Sequence, residues 1–469
     1  MKIRLFPFAA IAVVMASCSN EDVMELNPDP AGDALSFSIA VSHSRATETK
    51  VGILGDFDVV AKGVHPAGTV YDNYLIGSAT KGETATRNGS STIWNLGRNV
   101  YWPSSMSSAI FWAYTFSQKA EDGTVSKVLP DGVTFAFDET DKTAAQIKDF
   151  TPVKADLSAA EAESWDDGKK QTDMLVAFTH QMRSVNPSSV SLDFRHVLTQ
   201  INIKAQSVNK LENDSRIVKV KGAWIVNSKD KGTFRAKYTQ ADDVNHTVTI
   251  TENWVLGSTS NDKFSAYGSF YKQPIILQNS EDKYDLLNAS LMLPPQSLTG
   301  WNKTEADKEG AYILLLCRVE LKHSGVAHEG ATDVGDVKPL GENHYHQQFP
   351  VNAENKFDAS QYGFVCVPVS TTLEAGKRYT FTLDVCGAST GVGNYPPDLY
   401  DDKFNSLIPE DKEFTTIFDG NAKVNLSVVK RTVKHVGDFV LDDPIKFSVT
   451  VNTDWSDASS DWSQGTGKL

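Results

Sequence analysis

Candidate chemistry in this sequence rests on isolated side chains. Cys18 closes the tetrapeptide Met15-Ala16-Ser17-Cys18 at the end of a leader with Lys2, Arg4 and the apolar stretch FPFAAIAVVMA, the make-up of an export signal. Arg45-Ala46 lies in SHSRATETK (42–50), a run of small and polar residues without proline. Loops of that composition are preferred nicking sites. His344-Tyr345-His346 would set two imidazoles on one face of a strand and offer an edge to a metal. No third ligand is in view, so two exposed histidines are the plainer reading and no metal is expected. His196, in DFRHVLTQINI, shares a face with Phe194 and Leu198 and reads as a core-edge histidine bonded to a backbone carbonyl.

The other candidates lack the spacing their chemistry needs. Cys317, Cys366 and Cys386 stand in apolar runs (ILLLCRVEL, YGFVCVPV, FTLDVCG) without CxxC spacing. They read as three small buried hydrophobes, with one disulfide plus one thiol as the alternative. The acidic runs DLYDDKFN (398–405) and DWSDASSDW (454–462) lack the regular oxygen spacing and turn glycine of a calcium loop. GTGKL at the end of the sequence is followed by no helix that could offer amides to a phosphate. HExxH and GxSxG do not occur, and Trp94, Trp102 and Trp112 fit core positions better than a carbohydrate platform. These residues point away from an enzyme and call for no cofactor.

What must hold them is almost wholly β. Leu35, Phe37, Ile39 and Val41 alternate with Ser36, Ser38, Ala40 and Ser42, and Val190, Leu192 and Phe194 alternate with Ser191 and Asp193. Period-two runs recur at 218–226, 246–256, 311–321, 378–385, 424–429 and 444–451, punctuated by turn-like stretches such as GWNKTEADKEG (300–310). A helical pattern is confined to SAAEAESW (158–165). An all-β chain of 469 residues is too long for one ordinary core, so two sandwiches are expected, divided near 188 after the largely polar stretch 166–187. The formal charge of −14 argues against nucleic acid or an anionic membrane surface as partner.

Several strings, taken in order, resemble one family. The leader with Cys18 resembles a bacterial lipobox, and Ser19-Asn20-Glu21-Asp22 resembles the surface-export tag of Bacteroidetes lipoproteins. SRATET, NVYWP, AIFWAYTF (109–116), FRHVLTQINIKA, LPPQSL (293–298), LEAGKRYTFTLDV (373–385) and PIKFSVTVNTDW (444–455) follow. With these motifs the chain resembles, over essentially its whole length, the fimbrillin family of the Bacteroidales, the subunits of type V pili. The resemblance implies two transthyretin-like β-sandwich domains in tandem. It divides the chain into a signal peptide (1–17), a propeptide with the first strand (18–45), an N-terminal domain (46–188) and a C-terminal domain (189–469). It also implies lipidation at Cys18, cleavage between Arg45 and Ala46 by an arginine-specific surface protease, and polymerisation by exchange of a C-terminal strand.

That mechanism has a counterpart in the residues. Losing Leu35, Phe37, Ile39 and Val41 removes an inward apolar row, each side chain worth roughly 1.5–3 kcal/mol when buried, and opens strand edges. Ile445, Phe447, Val449 and Val451 alternate with Lys446, Ser448, Thr450 and Asn452 and offer a replacement of the same period. Their alternative is to be the last strand of their own domain. Removal of residues 1–45 takes away three positive and five negative side chains, moving the charge from −14 to −12. Association of such acidic subunits would rest on strand pairing and apolar burial. The expected function is a non-enzymatic pilus subunit at the cell surface, an outer-membrane lipoprotein precursor that supports adhesion. Its expected partners are other pilus subunits, the protease, membrane lipid before processing, and a host or bacterial adhesion ligand. The alternatives are a non-polymerising surface lipoprotein that binds glycan or host protein, and an anchor or tip component of the pilus.

Overall fold

Alternation of apolar and polar residues is what the backbone follows. A computed structural model describes residues 34–41, 54–65, 70–89, 91–119, 125–183, 188–208, 216–242, 247–257, 264–277, 280–307, 309–324, 343–351, 356–387, 390–397, 402–419, 422–429 and 435–452. The regular structure there is nearly all strand, as the period-two runs require. The α-helix among the described residues is one turn, Lys412–Thr415, capped by the Asp411 carboxylate accepting from the Glu413 N–H at 2.8 Å. The helix expected at 158–165 does not form. Ser158 turns back on Asp156 through its N–H (3.0 Å) and hydroxyl (2.7 Å), and Ser164–Asp166 is a strand paired with Ala266–Leu277. So short a helix has no stability of its own in water, and burying Trp165 in a sheet prevails.

The first sheet has nine strands, in the order Val70–Ile76, Phe57–Val64, Glu83–Arg87, Ile93–Leu96, Ser36–Val41, Ser189–His196, Asp173–Met182, Ser108–Lys119 and Val125–Lys127. Phe57–Val64 also pairs with Ser108–Lys119, and this closes the sheet into a ring. Phe37, Phe57, Trp94, Phe111, Leu192 and Phe194 fill its inside. Outward-facing Ile110, Trp112 and Phe116 pack on Phe135, Ile147 and Phe234 of a four-stranded sheet, Thr247–Gly257, Lys231–Asp242, Ala144–Phe150 and Thr134–Phe137.

The remaining strands make a sandwich. One layer runs Ser164–Asp166, Ala266–Leu277, Arg216–Val226, Tyr312–Ser324, Gln361–Pro368 and Ser427–Val428, with Asn343–Phe349 on Tyr312–Ser324. The other runs Ser280–Asp285, Thr199–Ser207, Arg378–Asp384 and Lys446–Asn452, with Leu291–Leu293 on Thr199–Ser207. Ile203, Val220, Leu315, Val365, Phe381 and Leu383 form the core between them.

The chain does not change sheets at 188. Ser189–His196 is a ring strand, because Val190, Leu192 and Phe194 complete the ring's interior. The passage falls at the buried pair Val197-Leu198, before Thr199–Ser207. The halves also interleave: Ser164–Asp166 joins the second layer, while the pair Lys231–Asp242 and Thr247–Gly257 covers the ring.

Candidate functional site

The first strand is a stave of the ring. Leu35 enters it by donating its N–H to the Val100 carbonyl at 2.7 Å, and the Ser36 N–H (2.9 Å) and hydroxyl (3.0 Å) both donate to the Ser188 carbonyl. On one side the strand runs parallel to Ser189–His196, with Phe37, Ile39 and Val41 opposite Val190, Leu192 and Phe194. On the other it is antiparallel to Ile93–Leu96 through Phe37 opposite Trp94 and Ser38 opposite Ile93. Leu35, Phe37 and Ile39 are buried, and Phe37 meets the rings of Phe57 (5.9 Å) and Phe111 (6.2 Å) edge-on. Such contacts add to what area burial alone contributes.

The last strand is placed quite differently. Lys446–Asn452 is outermost in its layer and antiparallel to Arg378–Asp384, with Phe447, Val449 and Val451 opposite Leu383, Phe381 and Tyr379. Those partners are buried, yet Phe447 remains 41% and Val451 45% exposed. Ile445 and Val449 pack partly on the core, and the Pro444 carbonyl accepts from Gly391 N–H at 3.0 Å just before the strand begins. Among the described strands it is held by one edge only, with its apolar face half covered. It lies in a different sheet from Ser36–Val41, so the two apolar rows are not brought together. The leader with Cys18, the Arg45-Ala46 bond and residues 453–469 lie outside the described residues.

His196, the three tryptophans and the three cysteines lie within the fold. His196 Nδ1 lies 2.6 Å from a carboxylate oxygen of Asp173. Trp94, Trp102 and Trp112 are buried, and Trp94 donates its indole N–H to the Gly55 carbonyl at 3.1 Å. Cys317, Cys366 and Cys386 are buried, and burial raises the thiol pKa of Cys317 and Cys366, which keeps both protonated and unreactive. What the alternation could not reveal is the contrast between the two apolar rows. One is sealed inside a ring and the other sits on an open edge, and only the pairing of distant strands creates that difference.

A fimbrillin-like family model matches residues 66–394 of the chain. Among solved structures, the chain is similar to a fimbrial protein from Bacteroides vulgatus, at 16% identity over 76% of this chain and 95% of that one, with a TM-score of 0.45. It is similar also to candidate cell adhesion proteins from Bacteroides ovatus (13% identity, 75% and 92% covered, TM-score 0.34) and Bacteroides eggerthii (10%, 90% and 96%, 0.33). No curated protein matches it.

Proposed function

Because the chain belongs to the fimbrillin-like family, we propose that it is a structural, non-enzymatic subunit of a cell-surface pilus that supports adhesion. In this reading it is exported as a lipoprotein through Cys18, cut between Arg45 and Ala46, and polymerised by strand exchange. Family membership carries the pilus-type surface role. The observation that supports the finer mechanism is the position of Ser36–Val41, a buried stave that ends four residues before the proposed cut. After cleavage that strand would belong to a separate peptide, held in the ring by pairing and packing alone. Ile445, Phe447, Val449 and Val451 of a neighbouring subunit could then replace Leu35, Phe37, Ile39 and Val41, moving a half-exposed apolar row into a sealed one. We read the propeptide as 18–45 and the rest as two transthyretin-like sandwich units whose strands interleave.

Treating the full chain with an arginine-specific protease tests this. We expect mass spectrometry to find a new N-terminus at Ala46 and electrophoresis to show a ladder of oligomers. A chain lacking residues 444–469 should be cut, stay folded and remain monomeric; if it unfolds, the donor role is lost. A cut but persistently monomeric full chain would favour the non-polymerising surface binder. A lipidated Cys18 on native surface material would favour an anchor.

A further inference from the structure

His344 and His346 are two apart on the strand Asn343–Phe349, so both imidazoles leave the same face. The antiparallel partner Tyr312–Ser324 sets His323 directly opposite His344 and Leu321 opposite His346. Cross-strand partners share a face, so His323 joins the other two. The ring centroids form a near-equilateral triangle: 5.4 Å between His323 and His344, 4.9 Å between His323 and His346, and 5.4 Å between His344 and His346. One ring nitrogen from each lies within 4.8 Å of the others. His344 is 2% exposed, while His323 and His346 are half-buried and can be reached from solvent.

We propose that His323, His344 and His346 form a binding site for a divalent d-block metal ion, with zinc(II) as its leading occupant. Three neutral nitrogen donors suit zinc, copper or nickel and are poor ligands for calcium or magnesium, which take oxygen. Zinc at about 2.0–2.1 Å from each nitrogen in a tetrahedral site would draw the three to about 3.3 Å apart. Small side-chain rotations close the difference, because both outer imidazoles sit at a partly open surface. A metal cation would be bound by all three imidazoles in the neutral form. The fourth position is open to water or to a group from outside the chain.

The site has a structural task within reach. Among the described strands Asn343–Phe349 pairs with Tyr312–Ser324 alone, so it is an edge strand off the main path of its layer. Strand edges fray and invite foreign pairing. A metal held by His323 on one strand and by His344 and His346 on the other clips that edge shut. This proposal is independent of strand exchange, since none of its residues belongs to Ser36–Val41 or Lys446–Asn452.

The test uses the full chain purified without a polyhistidine tag and stripped with a chelator. It is titrated with zinc chloride against a competing chelator, with cobalt(II) as an optical probe of coordination. We expect one tight, saturable zinc per chain and a melting temperature that rises with zinc. His344→Ala should weaken binding at least about tenfold, and His323→Gln and His346→Gln should do the same. His65→Gln, outside the trio, should leave it unchanged. Should His344→Ala fail to fold by circular dichroism, the two half-exposed variants decide. Wild-type protein without saturable binding, or an affinity and stoichiometry indifferent to His323→Gln and His346→Gln, would overturn the site.

Discussion

Asp166 carries a carboxyl whose pKa is pushed up to about 7 by burial, with the charge of Asp167 adding to the effect and the hydrogen bond from Ser269 opposing it. Asp167 is raised to about 6, again by burial. In both, the folded chain retains a proton that the unfolded chain has already released, between about pH 4 and the folded value. Their contribution to stability is therefore complete below that window and is lost as pH rises through it. Asp166→Asn keeps a neutral acceptor for Ser269 and the amides of Asn288 and Ala289. We expect it to flatten the fall in stability between about pH 4.5 and 7.5, a change on the order of a few kcal/mol, measured by urea unfolding across that range. Phe37 offers a second test. Phe37→Ala should destabilise the uncut chain by about 3–5 kcal/mol and leave the assembled polymer unaffected, because in the proposed mechanism residue 37 has left by then. Equal effects on both would count against exchange. Phe37 was legible as a core residue from its neighbours in sequence. Asp166 was not, because its partners lie 103, 122 and 123 positions away.

Strands were the legible elements and their partners were not. The runs at 35–41, 190–194, 218–226, 311–321, 378–385 and 444–451 all fall on strands to within one or two residues at their ends, because an apolar residue at every second position leaves the backbone little else to do. Alternation cannot say which strand lies beside which, so His323 went unnoticed as the companion of His344 until the register put them opposite each other. The same limit hid the loose edge at Lys446–Asn452. Because Phe447 and Val451 are so exposed there, Phe447→Asp with Val451→Asp should lower the stability of the uncut chain by no more than about 1 kcal/mol. Polymerisation after cleavage should nevertheless be abolished, because a carboxylate cannot enter an apolar interior unpaired. Denaturant titration and an electrophoretic ladder read the two effects separately, and a double variant that still polymerises would rule out this strand as the donor.

At the scale of the whole molecule, two sandwiches in tandem is too simple a picture of how the sheets are shared. The outer face of the ring, with Ile110, Trp112 and Phe116, is covered by a four-stranded sheet, two of whose strands, Lys231–Asp242 and Thr247–Gly257, come from beyond residue 230. A fragment ending at Leu198 would keep the ring's interior but lose those two strands, uncovering the part of that face on which Phe234 and Tyr238 pack. We expect it to aggregate or bind a hydrophobic dye strongly, whereas a well-behaved monomer by size-exclusion chromatography would show that the ring is self-sufficient. Length made more than one core predictable, since the chain is too long for one. Their interleaving was out of reach, because it depends on distant pairings such as Ser164–Asp166 with Ala266–Leu277. Closure of the ring through Phe57–Val64 and Ser108–Lys119 bears on filament geometry as well. In an open sheet a vacated edge could recruit strand after strand. In the proposed mechanism, a closed ring that lost one stave would have a slot one strand wide between two walls fixed by the rest of the circle, so each subunit would admit a single guest and the fibre would grow as an unbranched line.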